Sequence, residues 1–180
     1  MLPSSLKKEI FKSLPKQVTI GNDTLSIYVD YADRVNVSEK LRSYPVVLTL
    51  HYFGDRRSDA ESPLNDILDI TSDGVDVIYT KGERERITLR INIHAKDHRG
   101  AEFHHRSDVV DAVVDELLLW YLKLNIPGIA TRGRSEVAAL DFLAGDGIAR
   151  RRIDFYLAYT LSYQETVTTI ETINYEVQQG

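Results

Sequence analysis

The chain has 180 residues, 43% hydrophobic and 27% charged, which excludes a disordered, collagen-like or coiled-coil molecule and leaves enough chain for one sizeable core. It has no cysteine and Met1 is its only methionine, so disulfides, thiolate nucleophiles, cysteine zinc sites and a methionine-rich adaptable surface are all excluded. Net charge is −5, too acidic for a broad phosphate-gripping face, but Lys7, Lys8, Lys12 and Lys16 against Glu9 give residues 1–16 a charge of +3 and leave −8 on the remainder.

No apolar run approaches the roughly 20 residues of a membrane span. Met1 to Lys16 also lack the apolar core of a signal peptide. Ser4 and Ser5 are candidate caps for a short helix bearing Leu6, Ile10 and Leu14 on one face and lysines on the other, ended by Pro15. The expected organisation is a basic amphipathic helix or arm at 1–16, followed by a single α+β domain at 17–180. The arm either packs on that domain or docks on a neighbouring subunit.

Gln17–Ile20 and Thr24–Tyr31 read as strands around the turn signal Gly21-Asn22-Asp23. Pro45–Phe53 is a third strand, and Gly54–Ser62 a charged loop holding Asp55, Arg56, Arg57, Asp59 and Glu61, a candidate interaction loop. Ser62-Pro63 predicts a short helix carrying Leu64, Ile67 and Leu68, stopped by Thr71–Gly74. Val75–Thr80 and Glu85–Ala95 predict a hairpin turning near Lys81-Gly82. In its second strand Ile87, Leu89, Ile91, Ile93 and Ala95 alternate with Thr88, Arg90, Asn92 and His94, so one face is buried and one is wet.

A polar turn, Lys96–Arg106, leads to the longest helix, Asp108 to about Leu124, with Ser107 as cap and an apolar stripe of Val109, Val110, Val113, Leu117, Trp120 and Leu124. A shorter helix is expected over Glu136–Leu143 after Ser135, stopping at Gly145-Asp146-Gly147. Two long strands close the chain: Ile153–Tyr163, then Val167–Val177 with a bulge near Ile170, joined at Gln164-Glu165. Tyr156, Tyr159 and Tyr163 lie on the first and Tyr175 on the second, residues that suit half-buried sheets and subunit interfaces alike. The fold class is α+β: a largely antiparallel sheet with a long C-terminal hairpin and one principal helix packed on its face.

The densest chemistry is the histidine-rich turn 94–105, where His94, His98, His104 and His105 sit with Asp97 and Glu102. Such groups can bind a divalent metal, but strand-then-turn spacing does not align them on one helical face and no HExxH pattern occurs. The expectation is therefore no metal, no cofactor and no catalytic residue. A restriction-like nuclease needs an acidic residue before x-Lys on a strand, and Ile93-His94-Ala95-Lys96 has His94 there. No Gly-x-Ser-x-Gly elbow or phosphate loop is present.

The strand Ile87–Ala95, the turn, the helix Asp108–Leu124 and long strands opened by Arg150-Arg151-Arg152-Ile153-Asp154-Phe155 resemble, over about residues 45–177, the tail-terminator and tail-completion (neck) proteins of tailed viruses and bacteriophages. That resemblance implies an α+β protomer without enzyme activity or cofactor, assembling as a homo-oligomeric ring, commonly a hexamer. The ring would cap the tail tube and join it to the head in the virion, after assembly in the host cytoplasm. Its partners would be the tail tube protein and head–neck connector proteins, with DNA passing unbound and no membrane contact. Two alternatives stay open: an unrelated soluble α+β assembly or interaction domain, and a metal-dependent hydrolase or nuclease.

Overall fold

The computed structural model describes residues 3–58, 66–72, 76–131, 135–143 and 147–168. The chain divides into two compact units, one of Met1–Arg56 with Arg86–Tyr159, the other of Arg57–Glu85 with Thr160–Gly180. The fold is α+β, as the alternating strands and one long apolar helix predict.

In the first unit, α1 (Ser4–Ser13) leads into the antiparallel hairpin β1 (Gln17–Ile20) and β2 (Asp23–Tyr31). Ile20 pairs with Asp23, so the turn has two residues, and Gly21 supplies the positive φ of 56° that it requires. Neither Ser4 nor Ser5 caps α1; Pro3 precedes its first turn instead. A crossover containing the one-turn α2 (Val37–Lys40), capped by Asn36 at 3.3 Å from the Glu39 amide, then brings β3 (Val46–Ser58) parallel to β2. A parallel pair needs a crossover of a dozen or more residues, and 32–45 provides it.

β4 (Asp66–Ser72) and β5 (Asp76–Lys96) follow, then the short pair β6 (His98–Arg99) and β7 (Phe103–His104), α3 (Arg106–Leu122), and β8 (Ile129–Thr131), β9 (Glu136–Val137), β10 (Asp141–Leu143) and β11 (Ile148–Thr168). The main sheet runs β1-β2-β3-β5-β11-β10, with β4 added on β5 and β8 and β9 on β11.

Period-two burial decides which side of the sheet is core. Leu25, Ile27 and Val29 of β2, Leu48 and Leu50 of β3, Leu89, Ile91 and Ile93 of β5, and Ile153, Phe155 and Leu157 of β11 all belong to one buried cluster with Val109, Val110, Val113, Leu117, Trp120 and Tyr121 of α3. Phe155 is the hinge of this packing. Trp120 meets its ring edge-on at 5.5 Å, Tyr121 lies 4.9 Å away, and the Tyr121 hydroxyl donates to the Tyr156 carbonyl at 2.6 Å. α1 adds Ile10 and Leu14 to the same core, and the Trp120 indole donates to Ser13 Oγ at 3.0 Å.

Several expected elements fall differently. The pair Val75–Thr80 and Glu85–Ala95 forms one 21-residue strand, β5, because Lys81 and Gly82 are held extended by pairing with Ile67 and Asp66 of β4. The hairpin lies one element earlier, between Ser72 and Val77, which pair across residues 73–76, of which 73–75 lie outside the described residues. The predicted helix after Ser62-Pro63 is strand from Asp66 onward, with 59–65 outside the described residues, and the charged loop at 54–58 is the end of β3. Glu136–Leu143 forms β9 and β10, each paired with β11, where eight helix-compatible residues predicted a helix.

Gln164-Glu165 is no turn: β11 runs through it to Thr168, and Glu165 pairs with Lys81 of β5. The expected return strand lies beyond Thr168, outside the described residues, with the Ile170 bulge and Tyr175. α3 starts two residues early, with His105 rather than Ser107 at its N-cap: the His105 ring accepts from the Ser107 amide at 3.3 Å.

Candidate functional site

Four features merit weighing: the histidine-rich turn, the open face of the sheet, the end of α3, and the β-arm of the second unit.

The histidines separate into distinct structural roles. His94 is buried on the sheet face opposite α3, where desolvation, with Arg150 adding repulsion, pushes its pKa down to about 4, so the ring is neutral. His104, also buried, bonds Asp23 Oδ2 at 2.8 Å, and its ring stacks 6.4 Å from that of His98. His105 caps α3, and Asp97 accepts from the Arg106 amide at 2.9 Å at the same helix start. Glu102 accepts from Asn22 at 3.3 Å. Among the described residues no group of three or more such side chains is placed to hold a metal ion.

Asp23 organises that region. Its carboxylate accepts from the amides of Ala101 (2.8 Å) and Glu102 (3.0 Å) as well as from His104, and these bonds, the Ala101 amide first, hold its pKa down to about 2. Gly100 is obligatory in the clasp, since a Cβ there would lie 2.3 Å from Asp23 Oδ1.

The sheet face away from α3 carries an open groove of about 600 Å³ lined by His51, Phe53, Arg90, Asn92, Arg150 and Arg152. It is the wet face that the alternation of β5 predicts. Arg90 grips buried Asp154 with two bonds of 2.8 Å, lies 4.6 Å over the Phe53 ring, and Arg152 approaches the same carboxylate at 3.9 Å. Arg150 pairs with Asp141 at 3.0 Å, while Tyr156 donates to Glu136 at 3.0 Å, and the Glu136 carboxylate also favours the charged form of Arg90. Arg151, which also lines the groove, pairs with Asp111, so each of its four arginines has a carboxylate and the groove is a matched polar lattice.

Near the C-terminal end of α3, Leu119 and Leu122 are 42% and 81% exposed. Leu119 lines a groove of about 380 Å³ together with Trp120 of α3, Lys123 just after it, Ser13 at the end of α1 and Pro15 beyond it.

The arm is the least ordinary feature. In the second unit no described side chain is buried, the one buried position being Gly82. Ile67 is 50%, Ile70 57% and Val167 47% exposed. The β4–β5 register explains why the two isoleucines matter together. Ile67 pairs with Lys81 and Ile70 with Tyr79, two residues apart on β5, because a bulge between Ile67 and Asp69 absorbs the odd residue. Both isoleucines therefore lie on one face, with Tyr79 and Lys81. Glu165, ion-paired to Lys81, brings that face to β11, where Val167 shares its parity. Sequence reasoning missed this face because it assigned Ile67 to a helix and left Ile70 without a role; the Asp73-Gly74 hairpin signal following a β-branched run was the available clue.

Set against known proteins, the chain matches no family model and no curated protein sequence.

Proposed function

We propose that this chain is a self-assembling structural protein of a tailed-virus particle, a ring protomer at the tail–neck junction that terminates the tail tube and connects it to the head. The observation that carries the assembly reading is the β-arm, in which a bulge aligns Ile67 and Ile70 on one solvent-exposed face. A sheet that buries no described side chain of its own gains little stability alone and needs a partner surface. The tail–neck assignment rests further on the order of strand, turn, long helix and long strand that resembles those proteins. The matched charges of the Arg90–Asp154 groove and the net charge of −5 suit a channel wall along which DNA slides without being gripped.

The test is absolute mass in solution by light scattering across a concentration series, with negative-stain imaging of any large species. Closed rings, six-membered on the family resemblance, are expected. A monomer at every accessible concentration would overturn the assembly reading. A two-fold dimer would move the assignment to an unrelated assembly domain.

A further inference from the structure

We propose that the acidic β-arm of one copy seats its apolar face on the groove between the ends of α1 and α3 of the next copy, making the subunit contact head-to-tail. This inference rests on the assembly reading above and names its two surfaces.

The first support is charge. Residues 57–85 and 160–180, the arm unit, hold eleven acidic and three basic side chains, a net of −8. The other unit holds sixteen acidic and nineteen basic, a net of +3. That +3 is all in residues 1–16; the rest of the unit has fifteen of each sign and balances to zero. The excess positive charge thus lies on α1 and the lysine just after it, with Lys8, Lys12 and Lys16 exposed.

The second support is apolar matching on the same surfaces. Lys12 and Lys16 flank Ser13 and Pro15 of the groove in sequence, Lys123 lines it just after α3, Leu119 lines it half-exposed, and Leu122 is exposed three residues further along the helix. Glu116 also lines the groove, Glu9 is tied to Lys12 at 2.8 Å, and α3 carries Arg106 against Asp108, Asp111, Asp115 and Glu116, so the excess of positive charge lies on the α1 side of the groove. The Trp120–Ser13 bond fixes the two helix ends to each other, so the groove is preformed.

Electrostatics then select the pairing. Arm on arm would set acidic strand against acidic strand, and α1 on α1 lysine against lysine; arm on this groove joins opposite signs along its α1 side and apolar side chains along its α3 side, at Leu119. A contact between two different patches of one chain is heterologous, the type that generates rings.

The experiment uses two full-length variants at exposed positions. Lys12→Glu with Leu122→Glu damages the groove, and Ile67→Ser with Ile70→Ser damages the arm. Each alone is expected to stay monomeric, its self-association weakened by about tenfold or more. Mixed at equal concentration they are expected to form a one-to-one heterodimer that grows no further, since only the intact arm of the first and intact groove of the second remain. Circular dichroism of each variant checks folding, and Asp69→Lys, a charge-only arm change, replaces the arm variant if it misfolds. Variants that assemble like the wild type, or a mixture that stays monomeric, would overturn the pairing while the ring reading stands. A wild type that never assembles removes the ring reading itself.

Discussion

Whether α1 is a detachable arm or part of the core is decided by Ile10, which is fully buried in the cluster that holds Leu14, Trp120 and Phe155. Ile10→Ala deletes three carbon groups at about 0.8 kcal/mol each and leaves a cavity that the surrounding side chains refill only partly, so the loss is about 3 kcal/mol. For a protein of this size that lowers the melting temperature by about 6–12 °C. Adding Leu14→Ala, 2% exposed, roughly doubles the loss and approaches the whole stability of an ordinary domain, about 5–15 kcal/mol. Urea and thermal unfolding followed by circular dichroism measure both, with Lys8→Ala on the exposed side of α1 as a control expected within about 0.5 kcal/mol of wild type. An Ile10→Ala protein as stable as that control would refute the packing argument and return residues 1–16 to the status of a separable arm.

Two further predictions concern the open sheet face. Because the fold keeps His94 neutral, with its pKa near 4 against 6.5 in the unfolded chain, the unfolded state takes the proton first as pH falls. Stability is intact above about pH 6.5 and is lost progressively towards pH 4, by about 2–3 kcal/mol between pH 7.5 and 4.5. His94→Gln should remove that part of the decline in urea titrations, and parallel pH profiles for the two proteins would sink the idea. For the bidentate Arg90–Asp154 pair, a double-mutant cycle with Arg90→Met and Asp154→Asn should give a coupling energy of about 1–2 kcal/mol, since losing Arg90 leaves buried Asp154 with only Arg152 at 3.9 Å. Strictly additive losses would show that the pair contributes only through its separate contacts.

The parts of the fold legible in the sequence are those whose pattern is set by one buried face. Ile87, Leu89, Ile91, Ile93 and Ala95 alternate without error, so the core face and the wet face of that stretch both follow, and the α3 stripe from Val109 to Trp120 reads as a helix under any weighting. What failed did so because distant residues decide it. Ile67 and Ile70 stand three apart on one face, the spacing of a helix, but the bulge in β4 produces the same spacing in a strand. Glu136–Leu143 has good helix formers yet forms two short strands, because β11 supplies backbone partners more than ten residues downstream for Glu136 and Val137. Gln164-Glu165 resembles a polar turn, and its extended form is tied to Lys81, 84 residues away. At the start of α3, the sequence favours the hydroxyl of Ser107, while the structure uses the imidazole of His105 two residues earlier.

The candidate interaction site was half legible for a related reason. The +3 of residues 1–16 is local and can be counted directly, but the −8 of the arm is contributed by two segments separated by most of the first unit, and only the fold adds them together. Once added, the charge explains how a chain can keep isoleucines on an exposed sheet face. Exposed strands with apolar side chains pair readily with copies of themselves, and acidic residues along the strand oppose that pairing. Asp69 stands between Ile67 and Ile70 on β4, on the opposite face and still within a few ångströms of any second strand that approaches. The same aspartates that keep like arms apart favour a basic surface, and the chain carries its excess basic charge on α1 and Lys16, across the groove from exposed Leu119. Repulsion between like arms and attraction to α1 are therefore one charge distribution acting twice. An arm with these isoleucines but neutral residues at Asp69 and Asp76 should lose its selectivity, and light scattering should then show arm-on-arm association at low salt and high alike.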